Sequence, residues 1–122
     1  MKVIEIAFVS YPVTDLKRAR QFYEGVLGLK ETHFFGDEKF GFVEYDIGPG
    51  TLAIGCGAPG WNPSADGGCA ALEVDDFDAA VKRLKDNGCK FKVEPMETGV
   101  CHMAVVSDPD GNSLIIHRRK AR

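Results

Sequence analysis

The side chains able to do chemistry in this 122-residue chain are few: three histidines, four cysteines, one tryptophan and scattered carboxylates. His102 and His117 come first, because an imidazole works as acid, base or ligand near neutral pH. Glu44 alternates with Phe42 and Asp46, and a carboxylate held among aromatic residues has its pKa raised toward the range of a useful base. A solvent-facing glutamate on an edge strand is the plainer reading of the same residue. His33 has no partner in view and reads as structural or exposed. Cys56, Cys69, Cys89 and Cys101 form no CxxC pair and no tight Cys-x-His spacing, so they match neither a zinc ribbon nor a redox motif. Trp61 sits in a Gly- and Pro-rich stretch, where it either stacks on a planar ligand or packs over a sheet.

Composition narrows what such residues can serve. At 44% hydrophobic and 27% charged the chain has the make-up of one ordinary globular domain, long enough to bury a core without disulfides or structural metal. No apolar run approaches the roughly 20 residues of a membrane span, and the opening residues lack a signal-peptide cleavage pattern. A cytoplasmic protein with free thiols and no membrane partner is expected. The net charge of −3, with basic residues dense only at Arg118, Arg119, Lys120 and Arg122, speaks against a nucleic-acid partner.

The elements that must position these residues occur twice. A β-branched apolar run over 3–11 predicts a strand buried on both faces. Thr14 or Asp15 then caps a helix over 16–27 with Leu16, Ala19, Phe22, Tyr23, Val26 and Leu27 on one side and Gly28 at its exit. Strands follow at about 30–35, 40–47 and 51–56. After a loop over about 58–67 the order restarts: a strand at 69–74, a cap at Asp75 or Asp76, a helix bearing Phe77, Ala80, Val81 and Leu84, and strands at 89–93, 100–107 and 113–117. Setting Val13-Thr14-Asp15-Leu16 over Val74-Asp75-Asp76-Phe77 gives an offset of 61 (74 less 13). That offset pairs Phe8 with Cys69, Ile54 with Ile115 and Cys56 with His117. The expected fold is α+β, one domain over 1–122 made of two tandem βαβββ modules, about 1–57 and 68–119, forming a curled open sheet around a cleft.

The stretch Asp15-Leu16-Lys17-Arg18-Ala19-Arg20-Gln21-Phe22-Tyr23-Glu24-Gly25-Val26-Leu27-Gly28-Leu29 resembles the first-helix signature D-L-x-R-A-x-x-F-Y-x-x-x-L-G-L of the glyoxalase, bleomycin-resistance and extradiol-dioxygenase (vicinal oxygen chelate) superfamily. Asp108-Pro109-Asp110-Gly111-Asn112 is similar to its D-P-D-G-N turn before the last strand. The resemblance spans nearly the whole chain. It implies a substrate cleft in the concave sheet and, in many members, one divalent metal held by residues on the first and last strand of each module. Such a metal needs His, Glu or Gln donors to polarise oxygen. Carried onto this chain, the four positions fall on Phe8, Cys69, Ile115 and Ile54 or the adjacent Ala53, three hydrocarbons and a thiol. This departure points away from a glyoxalase I or an extradiol dioxygenase of the usual design.

If Ile115 faces the cleft, strand alternation brings His117 with it, and the repeat sets Cys56 across from it with Cys69 near one end. Three readings of this group stand side by side. In one, His102 and His117 hydrogen-bond a small anionic or carbonyl ligand without metal. In another, the histidines and cysteines are structural. In the third, His102, His117 and Cys56 or Cys69 form a displaced site suited to zinc rather than magnesium. The leading expectation is a metal-independent protein, homodimeric as the family commonly is, that binds a small molecule among Phe8, Ile54, Cys56, Cys69, Ile115 and Trp61, with no cofactor. The alternatives are a lyase, isomerase or dioxygenase working through a shifted metal or through His117, His102 and Glu44, and a non-catalytic interaction module whose cleft is filled by its own side chains.

Overall fold

The computed structural model describes residues 1–121; Arg122, counted above in the basic tail, lies outside the described residues. The chain runs through β1 (Val9–Pro12), α1 (Leu16–Arg20) continuing into a π-helical stretch (Gln21–Val26), β2 (His33–Gly36), β3 (Gly41–Ile47) and β4 (Gly50–Cys56). The same order returns as β5 (Ala70–Glu73), α2 (Phe77–Asp86), β6 (Phe91–Glu97), β7 (Cys101–Ser107) and β8 (Ser113–Arg119). Two compact units result, Met1–Pro63 and Ser64–Arg122, and their boundary falls within the stretch read as a connecting loop. Each unit carries its own four-stranded sheet, ordered β1-β4-β3-β2 in the first and β5-β8-β7-β6 in the second. In both, the first strand runs parallel to the fourth and the remaining pairs are antiparallel.

The two helices begin alike because the same residue type starts them. Asp15 and Asp76, both in extended backbone (φ −137° and −139°), accept a hydrogen bond from the amide three residues on, Arg18 and Ala79, at 3.0 Å each. This satisfies one of the amides that a helix start leaves without a partner. The first helix then departs from the expected uniform turn: Leu27 N–H donates to Phe22 O, five residues back. The wider turn lets the consecutive residues Phe22 and Tyr23 both bury, with Tyr23 fully enclosed and stacked 6.3 Å from Tyr45. The Tyr45 hydroxyl donates to Glu24 Oε2 at 2.9 Å, and Glu24 is held in turn by Arg20 at 2.7 Å. Burial first, then the hydrogen bond to Glu24 and its charge, push the Tyr45 phenol well above tyrosine's ordinary value, so it remains a donor. Gly28 leaves the helix at φ +76°, as a helix-ending glycine does.

Register divides each sheet into a helix-packed face and an open face. In the first sheet Tyr11, Ile54 and Val43 are partnered across β1, β4 and β3 and are buried under α1, as is Tyr45 with Leu52. In the second, Leu114, Ile116, Ala104 and Val106 form the equivalent core beneath Phe77 and Leu84 of α2. The turn into β8 is held by Asp108, whose Oδ1 accepts from the amides of Asp110 and Asn112 at 2.9 Å each, with Gly111 at φ +87°. Asn112, 2% exposed, returns the anchor by accepting from Ser64 N–H at 3.1 Å. The Asp-Pro-Asp-Gly-Asn motif is thus a turn and a clamp on the segment that enters the second unit.

Two expectations need correction. The strand expected over 3–11, buried on both faces, is present only from Val9, and Val3, Ile4 and Ile6 are 78%, 82% and 79% exposed. β1 lies at the edge of its sheet, and β4 offers partners only to Val9–Pro12, so the preceding residues have no neighbour to pair with. The repeat register also slips. Val9 partners Leu52 and Ala70 partners Leu114, so the offset of 61 that relates β1 to β5 becomes 62 (114 less 52) between β4 and β8. The longer Asp-Pro-Asp-Gly-Asn turn supplies the extra residue. A one-residue slip exchanges faces along a strand.

Candidate functional site

The slip decides which residues reach the open faces. The structural counterpart of Ile115 is Ala53, and that of Ile54 is Ile116. Ile54 is fully buried under α1, and Cys56, two residues on, shares its side and lies with its sulfur 3.4 Å from the carbonyl oxygen of Glu38. Neither lines the open face on which it was expected. Cys69 is exposed just before β5, and Cys101 is buried with its sulfur 3.2 Å from the Thr98 hydroxyl.

The two histidines expected to act together are on opposite sides of their sheet. On β7, His102 is paired with Arg118 of β8, and His117 of β8 is paired with Met103 of β7. Directly paired residues point the same way and adjacent residues point opposite ways. His102 therefore lies on the helix side, its ring 5.7 Å from Phe77, while His117 lies on the open side with Ile115. The reading that joined them in one polar cluster does not fit this register, nor does a displaced metal site built on both. Among the described residues no group of three or more His, Cys, Asp or Glu is placed to hold a metal ion.

Each open face has its own composition. On the first sheet, one row across the strands is Ser10, Ala53, Glu44 and His33, and the next is Pro12, Gly55, Phe42 and Phe35. Trp61 folds back over this face: a Cβ built on Gly55 would stand 2.8 Å from its ring and 2.9 Å from Phe42. Phe8 meets Phe42 edge to face at 5.7 Å, and His33 stacks on Phe35 at 6.2 Å. The result is an aromatic surface, with His33 Nδ1 3.4 Å from Glu44 Oε1 beside it. His33, read as lacking a partner, has this one, and the cross-strand register that supplies it is not visible in a linear sequence.

The equivalent rows of the second sheet are Ala71, Ile115, Val105 and Val93, then Glu73, His117, Met103 and Met96. Here Glu73, which the sequence did not single out, carries the polar chemistry. Its Oε1 lies 2.5 Å from His117 Nδ1 and its Oε2 accepts from Arg119 N–H at 2.7 Å. The Arg119 amide first, and the His117 hydrogen bond second, hold the Glu73 carboxyl below its ordinary range. An ionised carboxylate only accepts, so the Nδ1 of His117 is the protonated ring nitrogen that faces it.

The geometry can be set beside known proteins. A family model described as Glyoxalase/Bleomycin resistance protein/Dioxygenase superfamily matches residues 5–116. Lactoylglutathione lyase of Salmonella typhimurium is 32% identical over 112 residues, covering 84% of this chain and 83% of that one. The lactoylglutathione lyase of Escherichia coli O157:H7 is 30% identical over 118 residues, covering 88% and 87%. Among solved structures, the antibiotic binding protein TnmS3 from Streptomyces sp. CB03234 superposes with a TM-score of 0.80 at 24% identity, over 98% of this chain and 99% of that one. A glyoxalase/bleomycin resistance protein from the same Streptomyces gives 0.75 at 25% identity, over 93% and 100%.

Proposed function

The chain belongs to the glyoxalase/bleomycin resistance protein/dioxygenase superfamily, and from that premise we propose that it binds a small planar, apolar molecule on the open side of its sheets without the family's metal. The observation that carries this reading is the aromatic surface of Trp61, Phe42 and Phe8 on the first sheet. Flat aromatic walls with a few convergent polar groups are how small-molecule sites are built. TnmS3 shares the fold and is named an antibiotic binding protein, which supports binding as a use of the scaffold.

The lyase activity of the enterobacterial relatives, if it runs through the family's metal, does not suit this donor set. Phe8, Ala53 and Ile115 offer hydrocarbon at three of the four positions, and the thiol of Cys69 cannot form a metal shell by itself. The same reading makes the protein a cytoplasmic homodimer. Four free thiols suit a reducing compartment, and the exposed apolar residues Val3, Ile4 and Ile6, continuous with an edge strand, suit a second copy.

Titration with anthraquinone-2-sulfonate, followed by quenching of the single tryptophan, tests the reading. Saturable quenching that survives chelator treatment and drops about fivefold or more in affinity in Phe42→Ala is expected, since a stacked aromatic contributes on the order of 1 kcal/mol or more. Elemental analysis of protein purified without added metal is the companion measurement. About one divalent metal per chain would overturn the metal-independent reading.

A further inference from the structure

The open face of the second sheet is an apolar floor with one ionisable pair at its edge. Met96 and Val93 are 46% and 39% exposed, and Ile115, Val105 and Met103 lie between them and β5. Into this floor β8 sets His117, whose side chain is 24% exposed, and β5 sets Glu73 at hydrogen-bond distance from Nδ1. With Nδ1–H committed to the carboxylate, the neutral imidazole carries its lone pair on Nε2, which has no hydrogen-bond partner among the described residues. The charges around the pair are those of Arg119, whose amide holds Glu73, and Arg118, whose guanidinium approaches the same carboxylate to 4.0 Å. In the first sheet this place belongs to Gly55, whose side-chain space is taken by Trp61, so only the second sheet offers a base here.

We propose that His117, oriented by Glu73, takes up the proton of an acidic hydroxyl, a phenol or an enol, on an apolar molecule lying over Met103 and Met96. The ligand O–H bond breaks, its proton forms an N–H bond at Nε2, and the oxyanion remains beside the imidazolium while Nδ1–H stays with the Glu73 carboxylate. No electrons change hands and no co-reactant is needed. His117 touches the ligand; Glu73 is a positioning residue that sets the tautomer. The inference rests on the small-molecule reading above in that something apolar must occupy this face.

Two probes of the same size and flatness separate the proposals: 4-nitrophenol, whose phenolate absorbs in the visible, and nitrobenzene, which has no hydroxyl. Below the free phenol's midpoint, the full chain should bring up the phenolate band and bind 4-nitrophenol at least about tenfold tighter than nitrobenzene, the scale of one hydrogen bond to a charged group. His117→Gln should erase both the band and the preference while leaving nitrobenzene binding in place. Glu73→Gln, whose single carbonyl oxygen can accept from Nδ1–H or from the Arg119 amide but not from both as the two carboxylate oxygens do, should weaken the band. Glu73→Ala should remove the Nδ1–H bias of His117 in long-range ¹H–¹⁵N spectra, a signal that a purely structural glutamate would not control. Equal binding of both probes without a phenolate band overturns the dyad and spares the small-molecule reading. Binding of neither probe to the wild type overturns the second-sheet site, while the small-molecule reading is decided separately by the anthraquinone-2-sulfonate titration.

Discussion

At the scale of single residues, the open face of the first sheet depends on an absence of side chain. Gly55 lies beneath Trp61 and Phe42, and a methyl group there would meet the indole ring at 2.8 Å. The far end of an indole can swing away more readily than backbone can move. Gly55→Ala should therefore leave the fold intact at a cost of about 1–3 kcal/mol, typical of an overpacked contact. It should also lift Trp61 off the sheet, read as a red shift of the emission maximum and a loss of anthraquinone-2-sulfonate affinity. An unchanged emission spectrum would show that Trp61 does not rest on Gly55. The residue types able to do chemistry were legible from the start; their partners were not. His33 with Glu44, and His117 with Glu73, are joined by register between strands that are 11 and 44 positions apart in sequence (44 less 33, 117 less 73).

At the scale of elements, the capped helices were the most legible part of the chain, because a cap is a local contract between a side chain and amides two or three residues away. Asp15 and Asp76 meet it in the same geometry, which predicts matching penalties. Asp15→Ala and Asp76→Ala should each destabilise the protein by about 1 kcal/mol, and the Asn variants by much less, as measured by urea unfolding. A loss confined to one helix would break the equivalence of the two modules. The π-helical stretch was not legible in the same way: Phe22 and Tyr23 fit an ordinary amphipathic helix, and only the tertiary setting, with Tyr23 against Tyr11 of β1 and Tyr45 of β3, makes burying both at once favourable. Strand ends behaved similarly. The outer strand β6 runs on to Glu97, past Pro95, because its register shifts relative to β7 let an edge strand bulge around a proline.

At the scale of the whole molecule, exposure of Val3, Ile4 and Ile6 beside the edge strand β1 is the feature that most needs a partner. Large contiguous apolar surface on an isolated chain marks an interaction site or an aggregation hazard. In the homodimer reading, light scattering after gel filtration should return twice the chain mass of 13.3 kDa, and the Ile4→Asp/Ile6→Asp double variant should return one chain mass with the secondary structure retained. A wild-type monomer at all concentrations tested would refute the pairing. No helix among the described residues is long and apolar enough to cross a membrane.

What the amino-acid order determined by itself was local and repeated: two capped helices, the βαβββ order, the turn chemistry of Asp108 to Asn112, and the lack of donors at Phe8 and Ile115. Each depends on neighbours within a few residues or on residue type alone. What only the tertiary structure decided was which side of a sheet each residue takes. One extra residue in the turn before β8 makes Ala53 and Gly55, not Ile54 and Cys56, the counterparts of Ile115 and His117, and strand pairing sends His102 and His117 to opposite faces. Because side chains alternate every residue along a strand, an error of one position is the largest error a face assignment can make.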